Sequence, residues 1–288
     1  MRIAAPLVLL LAATPALAHD GQDHGAGWSL DPLVTVPLLL GALVYALGFR
    51  RLWNRADRGR PALRREGWLF GLGWLVLAGS LMSPLHEAGE RSFTMHMIEH
   101  ELIMLVAALL IVAGRPGPAL LWGVPNDLRG AGASLARWPV WRILADPIVA
   151  TVLQALAIWA WHAPGLFDLA LKSTGWHIAQ HLSFIVTALL FWWAMLFGRG
   201  GQGTAILCLF LTSMIGGLLG ALMALSSSPW YDGYAALGLT PEGLSPAQDQ
   251  QLAGLIMWIP GGTFHLAAAV WLLWKWLKAS EARDAAQA

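Results

Sequence analysis

The feature that most constrains the fold is a series of seven apolar segments long enough, or nearly long enough, to cross a lipid bilayer. They lie at residues 30–49, 67–85, 97–114, 147–161, 178–197, 204–225 and 252–276. Because the hydrocarbon layer offers no water to unpaired backbone groups, such segments must be helical. Hydrophobic residues make up 57% of the chain and charged residues 12%, about half the charged share of a soluble domain. The sequence therefore predicts an all-α, polytopic membrane bundle of about seven transmembrane helices.

The N-terminus has the pattern of a cleavable signal peptide. Residues 1–18 join Arg2 to a short apolar run and end on Ala16-Leu17-Ala18, a small-residue cleavage pattern. An uncleaved anchor is the alternative, although the run is short for a span. The predicted organisation is a signal peptide at 1–18, an outer polar tail at 19–29 that holds His19 and His24, a transmembrane domain at 30–277 and a cytoplasmic tail at 278–288.

Basic residues accumulate in alternate connections between the segments. Seven arginines lie within 50–65 and four within 115–142, whereas 226–251 contains neither Arg nor Lys. The positive-inside rule then places the tail that follows the signal peptide outside and the C-terminus in the cytoplasm. We expect a multi-pass protein of the inner (plasma) membrane, in contact with the lipid bilayer. A net charge of only +1 does not indicate a nucleic-acid partner.

Histidines gather at the predicted outer face. One HxxxH pair opens the third segment and another opens the fifth, with the members of each pair one helical turn apart, and a further histidine closes the fourth segment. Imidazoles at the mouths of membrane helices are costly without a partner, so this pattern predicts that the segments converge on a shared ion or water. The candidate metal ligands are His96, His100, His162, His177, His181 and, one turn deeper, Met104.

The remaining polar residues give narrower expectations. The single cysteine, Cys208, excludes a paired-thiol metal motif within the chain, so a metal site must use His, Met and carboxylates. We expect His86 to lie in a loop outside the bundle and to contribute little. His265, deeper in the seventh segment, receives no predicted role. Asp168 is expected to orient a histidine, to cap a helix or to be a solvated charge.

Several motifs in 67–276 occur in an order that is more specific than any one of them. They are His96-Met97-Ile98-Glu99-His100, Gly114-Arg115-Pro116, Trp161-His162-Ala163-Pro164-Gly165-Leu166-Phe167-Asp168, His177-Ile178-Ala179-Gln180-His181, Phe191-Trp192-Trp193 and Asp249-Gln250-Gln251-Leu252-Ala253-Gly254-Leu255-Ile256-Met257-Trp258. In these the chain resembles the CtaG family of seven-helix membrane proteins, which is associated with assembly of caa-type cytochrome c oxidases. The resemblance implies a non-enzymatic assembly factor with a copper-related role. It implies oxidase subunits or their copper donors as partners.

Three functions remain open on the sequence. The first is an assembly factor that handles copper through the outer histidines, because imidazole and thioether ligands suit copper. The second is a b-type haem electron-transfer subunit with bis-His ligation between the third and fifth helices. The third is a transporter or proton-coupled channel, which is disfavoured by the lack of acidic residues at mid-depth. No nucleophile–base pair is recognisable, so we do not expect an enzyme.

Overall fold

The computed structural model describes residues 27–287, and every regular element within that range is helical. The α-helices are α1 Pro32–Trp53, α2 Arg60–Met82, α3 Pro84–Arg91, α4 Phe93–Glu101, α5 Ala108–Ala113, α6 Gly117–Gly123, α7 Asn126–Arg137, α8 Pro139–Leu144, α9 Pro147–Trp161, α10 Pro164–Lys172, α11 Thr174–Phe197, α12 Gly201–Leu225, α13 Asp232–Leu237 and α14 Pro246–Gln287. A π-helical segment, Leu102–Ala107, joins α4 to α5. The predicted signal peptide, His19 and His24 lie outside the described residues.

The predicted polytopic helical bundle is confirmed. In the described part of the chain, five helices are long and apolar enough to cross a membrane: α1, the continuous unit Phe93–Ala113, α11, α12 and α14. Two bent pairs pass the same test together, with angles of 44° between α2 and α3 and 74° between α9 and α10. The number of spans is therefore five to seven.

The third span differs from the predicted segment at its start and in its middle. It begins at Phe93, where Ser92 accepts a hydrogen bond from the Met95 amide as N-cap, rather than at residue 97. Its middle turn is the π-helical segment, which holds one extra residue per turn. The indole of Trp192 on α11 donates a 2.8 Å hydrogen bond to the carbonyl of Met104 inside this segment. A hydrogen bond thus connects the π-helical turn to the neighbouring span, α11.

One close backbone contact and one set of side-chain hydrogen bonds hold α1 against α6 at the end of the bundle opposite the histidines. A Cβ atom built on Gly48 of α1 would lie 1.7 Å from the Ala119 carbonyl oxygen of α6. The guanidinium of Arg51 bonds the carbonyl oxygens of Trp122 and Gly123, where α6 ends. We call this the arginine end, and the opposite end, at which α4 and α11 begin, the histidine end.

The long helix α14 packs closely on α12 along its first half. Glycines at the crossing allow this, since a Cβ on Gly220 would lie 2.7 Å from the Gly254 carbonyl oxygen and a Cβ on Gly254 would lie 2.5 Å from that of Gly220. Small residues at such crossings let the two backbones approach. The first turn of α14 consequently lies beside the first turn of α4 at the histidine end.

Candidate metal centre

The three histidines His96, His100 and His181 form the centre of the site. One ligating nitrogen from each lies within 4.8 Å of the other two, and all three residues are buried. The first two come from α4 and the third from α11, so the triad joins two spans. The prediction that the mouths of the third and fifth segments converge is confirmed. We call these residues the triad.

The triad nitrogens lack partners in the described part of the chain. His96 Nε2, both ring nitrogens of His100 and His181 Nδ1 are buried and accept or donate no hydrogen bond there. Buried polar atoms are nearly always paired, so several unpartnered nitrogens on three neighbouring histidines need an explanation. A bound cation that accepts their lone pairs would provide one.

The triad has a suitable size for a single ion. Three atoms within 4.8 Å of one another can all reach a central ion if each moves inward by less than about 1 Å, given a metal–nitrogen distance of about 2 Å. The ring centres of His100 and His181 are 5.0 Å apart, and those of His96 and His100 are 4.2 Å apart. Imidazoles bound to one ion have ring centres roughly 5 to 6 Å apart. The ring centres of His96 and His181 are 6.2 Å apart, so binding of one ion requires small movements of the rings.

His177 and His86 form a second layer over the triad. His177 Nε2 lies 2.8 Å from His181 Nε2, and the ring of His86 lies 5.4 Å from that of His177 and 5.9 Å from that of His181. The expectation that His86 lies in a loop outside the bundle is wrong. Helix α3 bends back after Ser83 and carries His86 over the site.

Glu99 is a central residue of the site that was not among the predicted ligands. Its side chain is fully buried, and His86 Nδ1 donates to its Oε1 at 2.9 Å. The same oxygen lies 3.7 Å from His181 Nδ1. Because it touches histidines from both layers, this carboxylate orients the rings and places one negative charge beside the triad. The signal for it was present in the sequence, since Glu99 directly precedes His100.

His162 borders the triad without joining it. Its Nδ1–H donates to the Ile158 carbonyl at 2.7 Å, so the ring is held with Nε2 as the free atom, and Nε2 has no partner among the described residues. Its ring contacts Phe167 and Phe184, the phenylalanines that also pack on His96 and His100. His162 therefore packs on the same two phenylalanines as the triad, and its Nε2 is free to bind a ligand.

Met104 lies in the apolar core, below the histidines. It is buried within the π-helical segment and belongs to the main hydrophobic cluster together with Phe184. The altered turn also changes the angular register of Met104 relative to His96 and His100, so the straight ladder predicted from i, i+4, i+8 spacing does not apply.

The loop between α12 and α14 closes the histidine end. Tyr231 donates to the His162 carbonyl, and Tyr234 donates to the Gly89 carbonyl on α3. Burial raises the pKa of both phenols, so both keep the proton that they donate. Tyr231 also stacks on Phe167. The site is thereby shielded from the side of this loop.

Two aspartates act as caps. Asp249, in the first turn of α14, accepts hydrogen bonds from the Phe93 amide at 2.6 Å, the Thr94 amide at 3.1 Å and the Ser92 hydroxyl at 2.9 Å. It therefore caps the neighbouring helix that carries His96 and His100, not its own helix. Asp168 accepts from the Gly233 amide at the start of α13, so its role is a cap and not a partner of a histidine.

Two further polar groups lie deeper in the bundle. The Oε2 atom of Glu101 would be 2.8 Å from a Cβ atom at Gly261 of α14, so the missing side chain of that glycine makes room for the carboxyl group. His265 Nδ1–H donates to the carbonyl of Gly261 at 2.8 Å, and its ring stacks on Trp192. An acid thus lies deep between two spans, where the sequence analysis expected none.

The geometry favours an ion over a haem. Three imidazoles from two helices converge on one point, whereas a bis-His haem uses one ligand on each side of a flat ring. The triad rings also pack directly on each other and on Phe167 and Phe184. A porphyrin between α4 and α11 would have to separate these contacts.

Comparison with known proteins identifies relatives over most of the chain. The family model described as cytochrome c oxidase caa3 assembly factor (Caa3_CtaG) matches residues 43–279. Uncharacterized proteins of Mycobacterium bovis and Mycobacterium tuberculosis are each 28% identical over 244 residues, and one of Mycobacterium leprae is 25% identical. Each alignment covers 80% of this chain and 36% of the relative, so the chain spans about a third of the length of the curated relatives it matches. No solved structure matches the chain.

Proposed function

Since the chain belongs to the family of cytochrome c oxidase caa3 assembly factors, we propose that it assists assembly of a copper-containing oxidase by holding a copper ion at the triad. The proposal is carried by three buried histidines that each bring one ring nitrogen within 4.8 Å of the other two. Each of them also has a buried ring nitrogen without a hydrogen-bond partner among the described residues. The ion is cargo, bound on its way to an oxidase subunit or received from a copper donor. The protein acts by binding and transfer, and not as an enzyme.

The donor set supports copper as the cargo. Imidazole binds copper well, and Cu²⁺ stands at the top of the affinity order for divalent ions at nitrogen sites. The only cysteine, Cys208, is buried in α12, so thiolate ligands do not compete. His162, with its free Nε2 beside the same two phenylalanines, can serve as a fourth ligand. Met104 stays a candidate soft ligand only if the π-helical turn rearranges.

The proposed orientation places the triad on the outer side of the plasma membrane. The arginine-rich connections lie at the opposite end of the bundle, as the positive-inside rule requires. An outer site fits a supply route that does not depend on cytosolic thiols. The proposed signal peptide at 1–18 is consistent with this orientation.

Copper loading of the purified protein tests the proposal. The metal-free protein in detergent is loaded with Cu(I) and the bound copper is measured per chain, together with a visible spectrum. We expect His100→Ala and His181→Ala each to lower the affinity for copper by more than about tenfold, because each removes a direct ligand. His265→Gln is the matched control, since it alters a buried histidine away from the triad and should leave binding unchanged.

Oxidase activity in cells is the second test of the proposed function. Deletion of the gene should lower the activity of a copper-containing oxidase while the transcripts of its subunits stay constant, and His181→Ala at normal abundance should not restore activity. Normal oxidase activity in the deletion strain at limiting copper would contradict the proposal. A haem spectrum in the purified protein, or loading equal to that of the wild type in both triad variants, would also contradict it.

A further inference from the structure

We propose that His86 and His177 form a second, outer metal position through which the ion reaches the triad. This inference rests on the proposed function and adds a route to it. The inner layer, formed by the triad, and the outer layer, formed by His86 and His177, differ in solvent exposure. The triad residues and Glu99 are buried, whereas the His86 side chain is 21% exposed and His177 is partly exposed. An ion that comes from outside therefore meets the outer layer first.

The ring of His86 is prepared to bind a cation. Its Nδ1–H donates to Glu99 Oε1 at 2.9 Å, which leaves Nε2 as the atom with a free lone pair. A histidine whose second nitrogen is held by a carboxylate is the usual form of a metal-ligating histidine, because the contact fixes the tautomer and makes the ring more basic. The His86–Glu99 pair has this form, although His86 is not one of the three histidines of the triad.

The distance between the outer rings fits a shared ion. The ring centres of His86 and His177 are 5.4 Å apart, within the roughly 5 to 6 Å expected for two imidazoles on one ion at metal–nitrogen distances of about 2 Å. Helices α3 and α11 supply one ligand each. The second oxygen of Glu99 is buried without a partner among the described residues, so its negative charge remains available to the cation.

His177 and His181 connect the two positions. Their Nε2 atoms are 2.8 Å apart, close to the separation of roughly 3 Å between adjacent ligand atoms of one ion. An ion on His177 can therefore bind His181 before it leaves His177. Each step exchanges one metal–nitrogen bond for another, with no change in oxidation state and no other reactant. Glu99 Oε1 lies 3.7 Å from Nδ1 of His181, the second nitrogen of the ring that receives the ion.

The rate of loading separates this route from a purely structural role of His86. Cu(I) is supplied from a coloured chelate in a stopped-flow instrument, and the transfer rate and final occupancy are measured for the full chain in detergent. His86→Gln keeps a donor for Glu99 but removes the imidazole. We expect it to load about tenfold more slowly and to reach the occupancy of the wild type. His86→Met has a similar length and offers a thioether that binds Cu(I), so it should regain most of the rate.

Glu90→Gln is the matched control for charge. Glu90 is an exposed carboxylate on the same helix, and its removal should leave the loading rate within about twofold if the route depends on specific ligands and not on general attraction of cations. Wild-type loading rates in His86→Gln, equal slowing in Glu90→Gln, or no gain of His86→Met over His86→Gln would overturn the inference. A wild-type protein that binds no copper would instead refute the proposed function itself.

Discussion

Asp249 offers the sharpest test of how the histidine end is held together. Its carboxylate is 2% exposed and accepts three hydrogen bonds from the start of α4. Oδ1 accepts from the Ser92 hydroxyl and the Thr94 amide, and Oδ2 accepts from the Phe93 amide. Asp249→Asn retains one oxygen, so at best two bonds survive and an amide NH₂ group faces the third donor.

The expected loss of stability follows from these contacts. A hydrogen bond to a charged group contributes about 1.5–3 kcal/mol, and a negative charge at a helix N-terminus adds about 0.3–1 kcal/mol. Asp249→Asn loses one such bond and the charge, so we expect the free energy of unfolding to fall by about 3 kcal/mol. The start of α4 carries His96 one turn later, so copper affinity should fall as well.

Asp146→Asn is the matched control. Asp146 caps α9 at the arginine end, but both amides that it binds, those of Ile148 and Val149, donate to the same oxygen, Oδ1. Asn preserves both bonds and is as good an N-cap as Asp, so only the helix-dipole contribution of the charge is lost and the change should be below about 1 kcal/mol. Unfolding in mixed micelles, followed by tryptophan fluorescence, compares the two variants. Equal unfolding curves for Asp249→Asn and Asp146→Asn would refute this account of the cap.

Two further predictions concern packing and orientation. Gly48→Ala should lower the free energy of unfolding by about 3 kcal/mol, the upper part of the range for overpacking, because its Cβ would lie 1.7 Å from a backbone oxygen of α6; Gly71→Ala, with nothing within 4 Å, should be neutral or slightly stabilising in the same unfolding assay. Reporter fusions at Arg58 should report the cytoplasm and fusions at Gly238 the outside, and the reverse pattern would place the triad on the cytoplasmic face.

Much of this architecture could be predicted because it depends on local sequence. Length and hydropathy define the spans, since a segment in lipid must satisfy its own backbone. The gathering of histidines at one end follows from their positions at the mouths of the third and fifth segments. Convergence of His100 and His181 could be argued in advance from the cost of isolated imidazoles near lipid.

The parts that escaped prediction depend on contacts between distant segments. Helix α3 is polar and reads as a loop, although Ser83-Pro84 is a helix-start signal that could have identified it. The return of His86 over Glu99 results from the 44° bend between α2 and α3, which no local pattern specifies. The π-helical turn likewise accepts a hydrogen bond from the indole of Trp192 on another span, a contact that local sequence does not specify.

The length of α14 has a mechanical consequence. Its 42 residues, with Pro260 inside the helix, extend over about 63 Å at 1.5 Å per residue, roughly twice the thickness of the hydrocarbon layer. Asp249 lies near one tip, about 26 Å from the middle of the helix at the same rise per residue, and the other tip lies beyond the arginine end. A tilt of about 5° about the middle moves the Asp249 tip by roughly 2 Å at that radius, which is enough to break its hydrogen bonds to α4. A force that tilts α14 from its far tip would therefore break the cap of the helix that carries His96 and His100.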